Sequence, residues 1–157
     1  MKLSRLVLDS VDWSSEEVLR GSGADLKNAL GAFLGASTSE QASELWWGLE
    51  GVAFAQNTIY GAAEPTVDVM MAALADGPPA FLVAWILEVL RFILTGGSQD
   101  DPGLGARCQE RARRGAWLLA FESRRAEGLE ERRAVLEVLG LVDQLLAQVV
   151  RGILENQ

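Results

Sequence analysis

The run Glu64-Pro65-Thr66-Val67-Asp68-Val69-Met70-Met71-Ala72-Ala73-Leu74-Ala75-Asp76-Gly77-Pro78-Pro79-Ala80-Phe81-Leu82-Val83-Ala84-Trp85-Ile86-Leu87-Glu88-Val89-Leu90-Arg91-Phe92-Ile93-Leu94 reads as a helix, a turn and a second helix. Proline suits the first turn of a helix, where its missing N–H costs no hydrogen bond, so Glu64-Pro65 is a start signal. Val67, Met70, Met71 and Leu74 follow at helical spacing and form one apolar face. Asp76-Gly77-Pro78-Pro79 is a turn. From Pro79 to Leu94 the chain is apolar almost all round, the pattern of a central, buried helix. Its charges, Glu88 and Arg91, stand three residues apart on one face and are placed to pair.

Working outward, a helix start recurs near Ala24 and at Asp101-Pro102, so a helix pair repeats with a period of about 40 residues. Upstream, Leu26, Leu30, Phe33 and Leu34 are the face of a helix from Ala24 to Leu34, which Gly35 ends. Ser37-Thr38-Ser39-Glu40 has the form of a capping box, with Ser37 as the cap and Glu40 reaching back. It opens a helix carrying Leu45, Trp46, Leu49, Val52, Ala53 and Phe54. Before these, Val11 to Glu17 is a lead-in in which Trp13 plugs the open end of the first pair. Gln56 to Gly61 is a polar bend, and Thr95 to Gly103 is the longest loop signal and the best candidate for mobility.

Downstream, one helix runs from Leu104 to Glu122 and another starts between Glu127 and Glu130, with Val135, Leu136, Val138 and Leu139 apolar. Gly140 marks a break or close packing, and a last helix from Leu141 to Ile153 uses Leu145, Leu146, Val149 and Ile153 to cap the array or to dimerise. That makes seven helices and no strand. The expected fold is all-α: residues 1–157 form a single domain of antiparallel helix pairs stacked into a right-handed α-solenoid.

Composition narrows the functions. Apolar residues make up 49% of the chain, as a packed globule requires, and the net charge is −8. Residues 1–104 hold five Lys or Arg against 14 Asp or Glu, whereas residues 105–157 hold nine against eight. An acidic front repels phosphate backbones and attracts basic partners, and it also serves solubility. There is no His, which removes the commonest general base and the commonest metal ligand. Cys108 stands alone, so no internal disulfide forms, and a reducing, cytoplasmic compartment is expected. It lies between Ala106 and Ala112 in a helical pattern, where a buried small residue is expected. The first apolar run, Leu3 to Leu8, is too short for a signal peptide, and acids follow it. Phe81 to Leu94 is too short to span a bilayer and is interrupted by Glu88 and Arg91, so no membrane role is expected.

No catalytic constellation emerges. Serine and cysteine triads need a His, and no glycine loop precedes a Lys-Ser or Lys-Thr pair. The carboxylate pairs Asp100-Asp101 and Glu130-Glu131 fall in a loop and at a helix start. No metal-ligand spacing occurs, so the expectation is a non-enzyme with no metal and no cofactor. Arg107, Arg111 and Arg114 share one helix face. They are the candidate nucleic-acid contacts, although the interspersed acids and the overall charge favour a solvated face. Trp46 and Trp47 point about 100° apart on a helix. A helix stacked on both sides would bury both, which is the expectation; the alternative is Trp47 as an exposed anchor.

Asp12-Trp13, Gly21-Ser22-Gly23-Ala24-Asp25 and Leu45-Trp46-Trp47-Gly48-Leu49, in that order, resemble a bacterial group of HEAT-like repeat proteins. The closest piece is Ala55-Gln56-Asn57-Thr58-Ile59-Tyr60-Gly61-Ala62-Ala63-Glu64-Pro65, which looks like that group's His-Gln-Gly-Thr/Ser-x-Tyr-x-Ala stretch. Gln56, Thr58, Tyr60 and Ala62 match, while Ala55 stands at the His position and Asn57 at the Gly position. The resemblance spans residues 9–95 and leaves the C-terminal third generic. It implies an α-solenoid, and some small proteins of this kind are similar to immunity proteins, which neutralise a bacterial toxin by binding it. On that reading the partner is a protein, most concretely a basic toxin domain. The candidate contacts are Glu16, Glu17, Glu40, Glu44, Trp47, Gln56, Tyr60, Asp68, Asp100 and Asp101. The alternative is a nucleic-acid-binding repeat protein, akin to DNA-repair glycosylases built from such arrays, using Arg107, Arg111 and Arg114.

Overall fold

Ten of the thirteen residues of the helix Ala63–Ala75 are buried, more than in any other element. The computed structural model describes all of residues 1–157. In chain order it contains α1 (Leu3–Ser10), a 3-10 turn (Trp13–Ser15), α2 (Gly23–Leu34), α3 (Ser39–Trp46), β1 (Phe54–Ala55), β2 (Thr58–Ile59), α4 (Ala63–Ala75), α5 (Ala80–Thr95), α6 (Leu104–Arg113), α7 (Ala116–Arg125), α8 (Leu129–Val142) and α9 (Gln144–Glu155). The chain is therefore largely helical, as expected, with nine helices and a small hairpin in place of seven helices and no strand.

The expected central element is α5, but the central element is α4. Its inward residues are mostly small or compact (Ala63, Val67, Val69, Ala73), so α1, α5, α6 and α7 all pack onto it. The larger α5 packs on α3, α4, α6 and α8 and leaves Phe81, Trp85 and Phe92 partly open. Around these two helices, α2 pairs with α3, α7 with α8, and α8 with α9.

Two of the extra elements have physical causes beyond local pattern. The N-terminus of α1 is capped by Asp76, which follows the end of α4: its carboxylate accepts from the Leu3 N–H at 2.7 Å, the Ser4 N–H at 3.0 Å and the Ser4 hydroxyl. Burial works to raise the Asp76 carboxyl, but these hydrogen bonds from Ser4 and Leu3 outweigh it and hold it below its ordinary value. The expected single helix Leu104 to Glu122 is two helices, broken at Arg114-Gly115. At the turn, glycine gives room to the Met71 side chain of α4: a Cβ on Gly115 would sit 2.7 Å from the Met71 Cε, which would have to shift.

The expected helix from Ser39 into Phe54 stops at Trp46. Gly48 and Gly51 follow, the latter at φ +82°, and turn the chain into β1. The cap lies one residue later than expected: Thr38 accepts from the Gln41 N–H at 3.1 Å, and Gln41 Oε1 accepts from the Ser37 N–H at 2.8 Å. Glu40 is thereby released to solvent, while Ala42 and Trp46 face inward. In the hairpin Phe54 faces Ile59 and Ala55 faces Thr58, around Gln56 at φ +53° and Asn57. Strands of two residues are too short to show alternation in a sequence. The expected mobile loop is fastened here: the Ile59 N–H donates to the Gly97 carbonyl, and the Gly97 N–H donates to the Asn57 carbonyl, each at 3.0 Å.

Trp13 is 3% exposed, but it closes the space between α1 and α2 and not the open end of the expected first pair, α2 and α3: its Nε1 donates to the Leu8 carbonyl of α1 at 2.7 Å. A Cβ on Gly23 would lie 1.6 Å from the Trp13 carbonyl oxygen, so α2 begins against that carbonyl only because residue 23 is glycine. Gly152 lies inside α9 with nothing within 4 Å of its missing Cβ. Two glycine-to-alanine changes should therefore act in opposite directions. Gly23→Ala destabilises by roughly 1–3 kcal/mol through overpacking, and Gly152→Ala stabilises by about 0.5–1 kcal/mol through helix propensity. Urea denaturation of both variants checks this; a stabilised Gly23→Ala would sink the placement of Trp13.

Candidate functional site

On α3, Glu40, Glu44 and the C-cap residue Trp47 are spaced i, i+4 and i+7, and all three are exposed. Trp47 is 66% exposed, so the alternative to burial holds, because the helix ends before a second layer can cover it. It is nonetheless held in place. Its ring stands edge-on to that of Trp46, with centroids 5.0 Å apart, and Trp46 is 7% exposed. Trp46 in turn packs on Phe92 at 5.3 Å, Phe54 at 5.9 Å and Trp85 at 6.4 Å. Trp85 Nε1 donates to the Ser39 hydroxyl at the start of α3. On the same side of α5, Arg91 lies 4.8 Å over the Phe92 ring and pairs with Glu88 at 2.8 Å, the pairing expected from their spacing. Glu40 and Glu44 form no ion pair. The result is a rigid aromatic anchor flanked by two free carboxylates, a surface suited to cationic side chains.

A second group lies along α4 and α6. Glu64 and Asp68 of α4 are four residues apart, as are Arg107 and Arg111 of α6, so the two pairs face each other across the helix contact. Arg111 contacts Glu64 at 3.0 Å and pairs closely with Asp68. Arg107 reaches Glu64 at 3.2 Å and Asp101 at 2.6 Å. Arg107 holds the Asp101 carboxyl below its ordinary range. Glu16 sits half-buried beside this group, and burial, then the Glu64 charge, raise its carboxyl above the ordinary value, with Arg111 opposing. Two candidate partner contacts, Asp68 and Asp101, and two candidate nucleic-acid contacts, Arg107 and Arg111, are thus partners of one another. Arg114 is exposed and unpaired at the end of α6.

The remaining candidates scatter. Glu17 is exposed and its carbonyl accepts from the Ala62 N–H; Gln56 is exposed at the hairpin turn; Tyr60 is half-buried; Asp100 is exposed. Cys108 on α6 is fully buried, as expected, and burial pushes its thiol up to about 12. No group of three His, Cys, Asp or Glu side chains is placed to hold a metal ion. No helix is long and apolar enough to cross a membrane.

Sequence reasoning passed over Trp117 and Phe121, which are 75% and 55% exposed. With Ala120, Val150, Ile153 and Arg124 they line an open groove of about 550 Å³ between α7 and α9. Their i, i+4 spacing, continued by Arg124 at i+7, was the available signal: it marks a helix stripe offset from the buried Leu119 and Ser123. No protein-family model, no curated protein and no solved structure matches the chain.

The Glu16 geometry gives a pH dependence of definite sign. Its folded pKa is raised, so the native state favours the protonated carboxyl, and that contribution is lost as pH rises through the folded value. Glu16→Gln should therefore be more stable than the parent at pH 7. The difference should vanish at a pH below the ordinary carboxylate range. Thermal midpoints across this pH window check it, and a variant less stable at pH 7 would contradict the raising of Glu16 by burial and by the Glu64 charge.

Proposed function

We propose that the chain is a protein-binding helical-repeat module. Its most concrete form is an immunity-type protein that neutralises a toxin by direct binding of a basic domain. The observation that carries this reading is the α3 stripe, with Trp47 exposed yet braced by Trp46, and Glu40 and Glu44 free beside it. Rigid exposed aromatics are the anchors enriched at binding hot spots, and unpaired carboxylates around them steer a cationic surface into place. The net charge of −8 and the excess of acids before residue 105 act in the same direction at longer range.

The packing order supports a solenoid as the scaffold. α2 pairs with α3, α4 with α5 and α7 with α8, and α3 stacks on α5 and α5 on α8, pair-to-pair contacts of the kind a solenoid is built from, although α1 rather than α2 packs on α4. The nucleic-acid reading loses weight because Arg107 and Arg111 spend their charge on Glu64, Asp68 and Asp101.

Affinity capture of the tagged chain from its native lysate, washed at low and at high salt, tests the reading. One stoichiometric protein, weakened by salt, is the expected result; nucleic acid in its place would favour the arginine face. With the partner in hand, Glu40→Lys combined with Glu44→Lys should slow association about tenfold or more at low salt without altering the thermal midpoint. Trp47→Ala should speed dissociation, at a cost of about 2 kcal/mol or more in binding. Unchanged rates in both variants would remove the α3 stripe from the interface.

A further inference from the structure

A separate cavity of about 220 Å³ opens where the start of α5, the end of α7 and the start of α8 meet. One wall is apolar and comes from Pro78, Val83, Leu87 and Val135. The other is polar and comes from Glu122, Arg125, Glu127 and Glu131. Glu122 is the unusual member, since it is a carboxylate only 5% exposed. Its Oε1 accepts from Arg125 at 3.1 Å, its Oε2 accepts no hydrogen bond from the chain, and the residue is part of the cavity lining. Glu122 is thus neutralised by Arg125 at one oxygen, while the other is open to the water of the cavity, where a cationic donor can take the water's place.

The surrounding charges identify what fits. Arg125 is the one cation in the lining; it is 47% exposed at its side chain and also lies 5.8 Å over the Phe121 ring. Arg132, behind the wall, donates to the Ala126 carbonyl at 3.4 Å, and its Nε is buried without a partner. Glu131 Oε2 accepts from the Gly128 N–H at 3.1 Å, which fixes that side chain at the rim and leaves its other oxygen free. Glu127 forms no ion pair. Three carboxylates therefore face one lining guanidinium, opposite an aliphatic wall.

We infer that this cavity binds a small organic cation, a primary ammonium on a short aliphatic stem. The ammonium meets the free oxygen of Glu122, with Glu127 and Glu131 at the mouth, and the stem lies along Val83, Leu87 and Val135. The space corresponds to about seven water volumes of ~30 Å³ each, enough for an amine of roughly five to seven heavy atoms. The same chemistry is offered by a free alkylamine and by a lysine side chain of a protein. The site does not rest on the α3 interface.

The test is a titration of the full chain with butylammonium, and separately with Nα-acetyl-lysine amide, followed by amide NMR shifts. Butanol and butyrate are the matched controls. Saturable shifts around Glu122 and Val135 are expected for the cations and not for the controls. Glu122→Gln should weaken binding by about tenfold or more. Should Glu122→Gln fold poorly, Ala84→Leu fills the cavity from its exposed wall and should abolish the shifts. Binding of butylammonium assigns the site to free amines; binding of the lysine amide alone assigns it to a protein lysine. No saturable shift with either cation, equal binding of butyrate, or full affinity in Ala84→Leu would overturn the inference.

Discussion

A helix buried on almost every side has nowhere to send its polar groups, and α4 imposes that constraint on the whole structure. Ten of its residues lie out of solvent, so each buried polar group it carries must find a partner within the protein. Thr66 turns its hydroxyl back to the Ala62 carbonyl. Glu64 and Asp68 emerge on one edge and recruit Arg107 and Arg111 of α6. Asp76, just past the end of the helix, supplies the acceptor that the first N–H groups of α1 lack. The apolar packing brings the helices together, and these polar matches decide which helix lies where.

The charge distribution follows from the same constraint. A count of acids before residue 105 suggests an open negative face, but part of that charge is consumed internally along the α4–α6 contact. The pairs there are one-fifth to one-half exposed, a setting in which each is worth little alone and more as a connected set. The charge left unpaired includes short, exposed stretches such as the α3 stripe. The aromatic residue beside that stripe, Trp47, is exposed yet braced edge-on against the buried Trp46.

Much of the secondary structure was legible because glycine and proline punctuate it. Pro65 falls in the first turn of α4, Pro79 precedes α5, and Pro102 precedes α6. What escaped was set by distant residues. The cap of α1 comes from a side chain 72 or 73 residues away, which no local pattern records. The true end of α3 was hidden because Leu49 and Ala53 continue the helical spacing of Leu45 and Trp46, while Gly48 and Gly51 already bend the chain. For the candidate site, the exposed acids and Trp47 could be read one by one. The pairing of Asp68 and Asp101 with Arg107 and Arg111 could not, although each helix alone shows the complementary spacing of four.

The buried thiol of Cys108 gives the α4–α6 contact a clock. A thiol whose pKa is pushed up to about 12 is almost entirely unionised near neutrality, and its burial keeps reagents out. Alkylation must then wait for α6 to lift from the helices packed on it, and parting from α4 also separates Arg107 and Arg111 from Glu64 and Asp68. The rate of trapping at this one atom measures how often that seam opens. Because Cys108 is the sole cysteine, the signal comes from α6 alone.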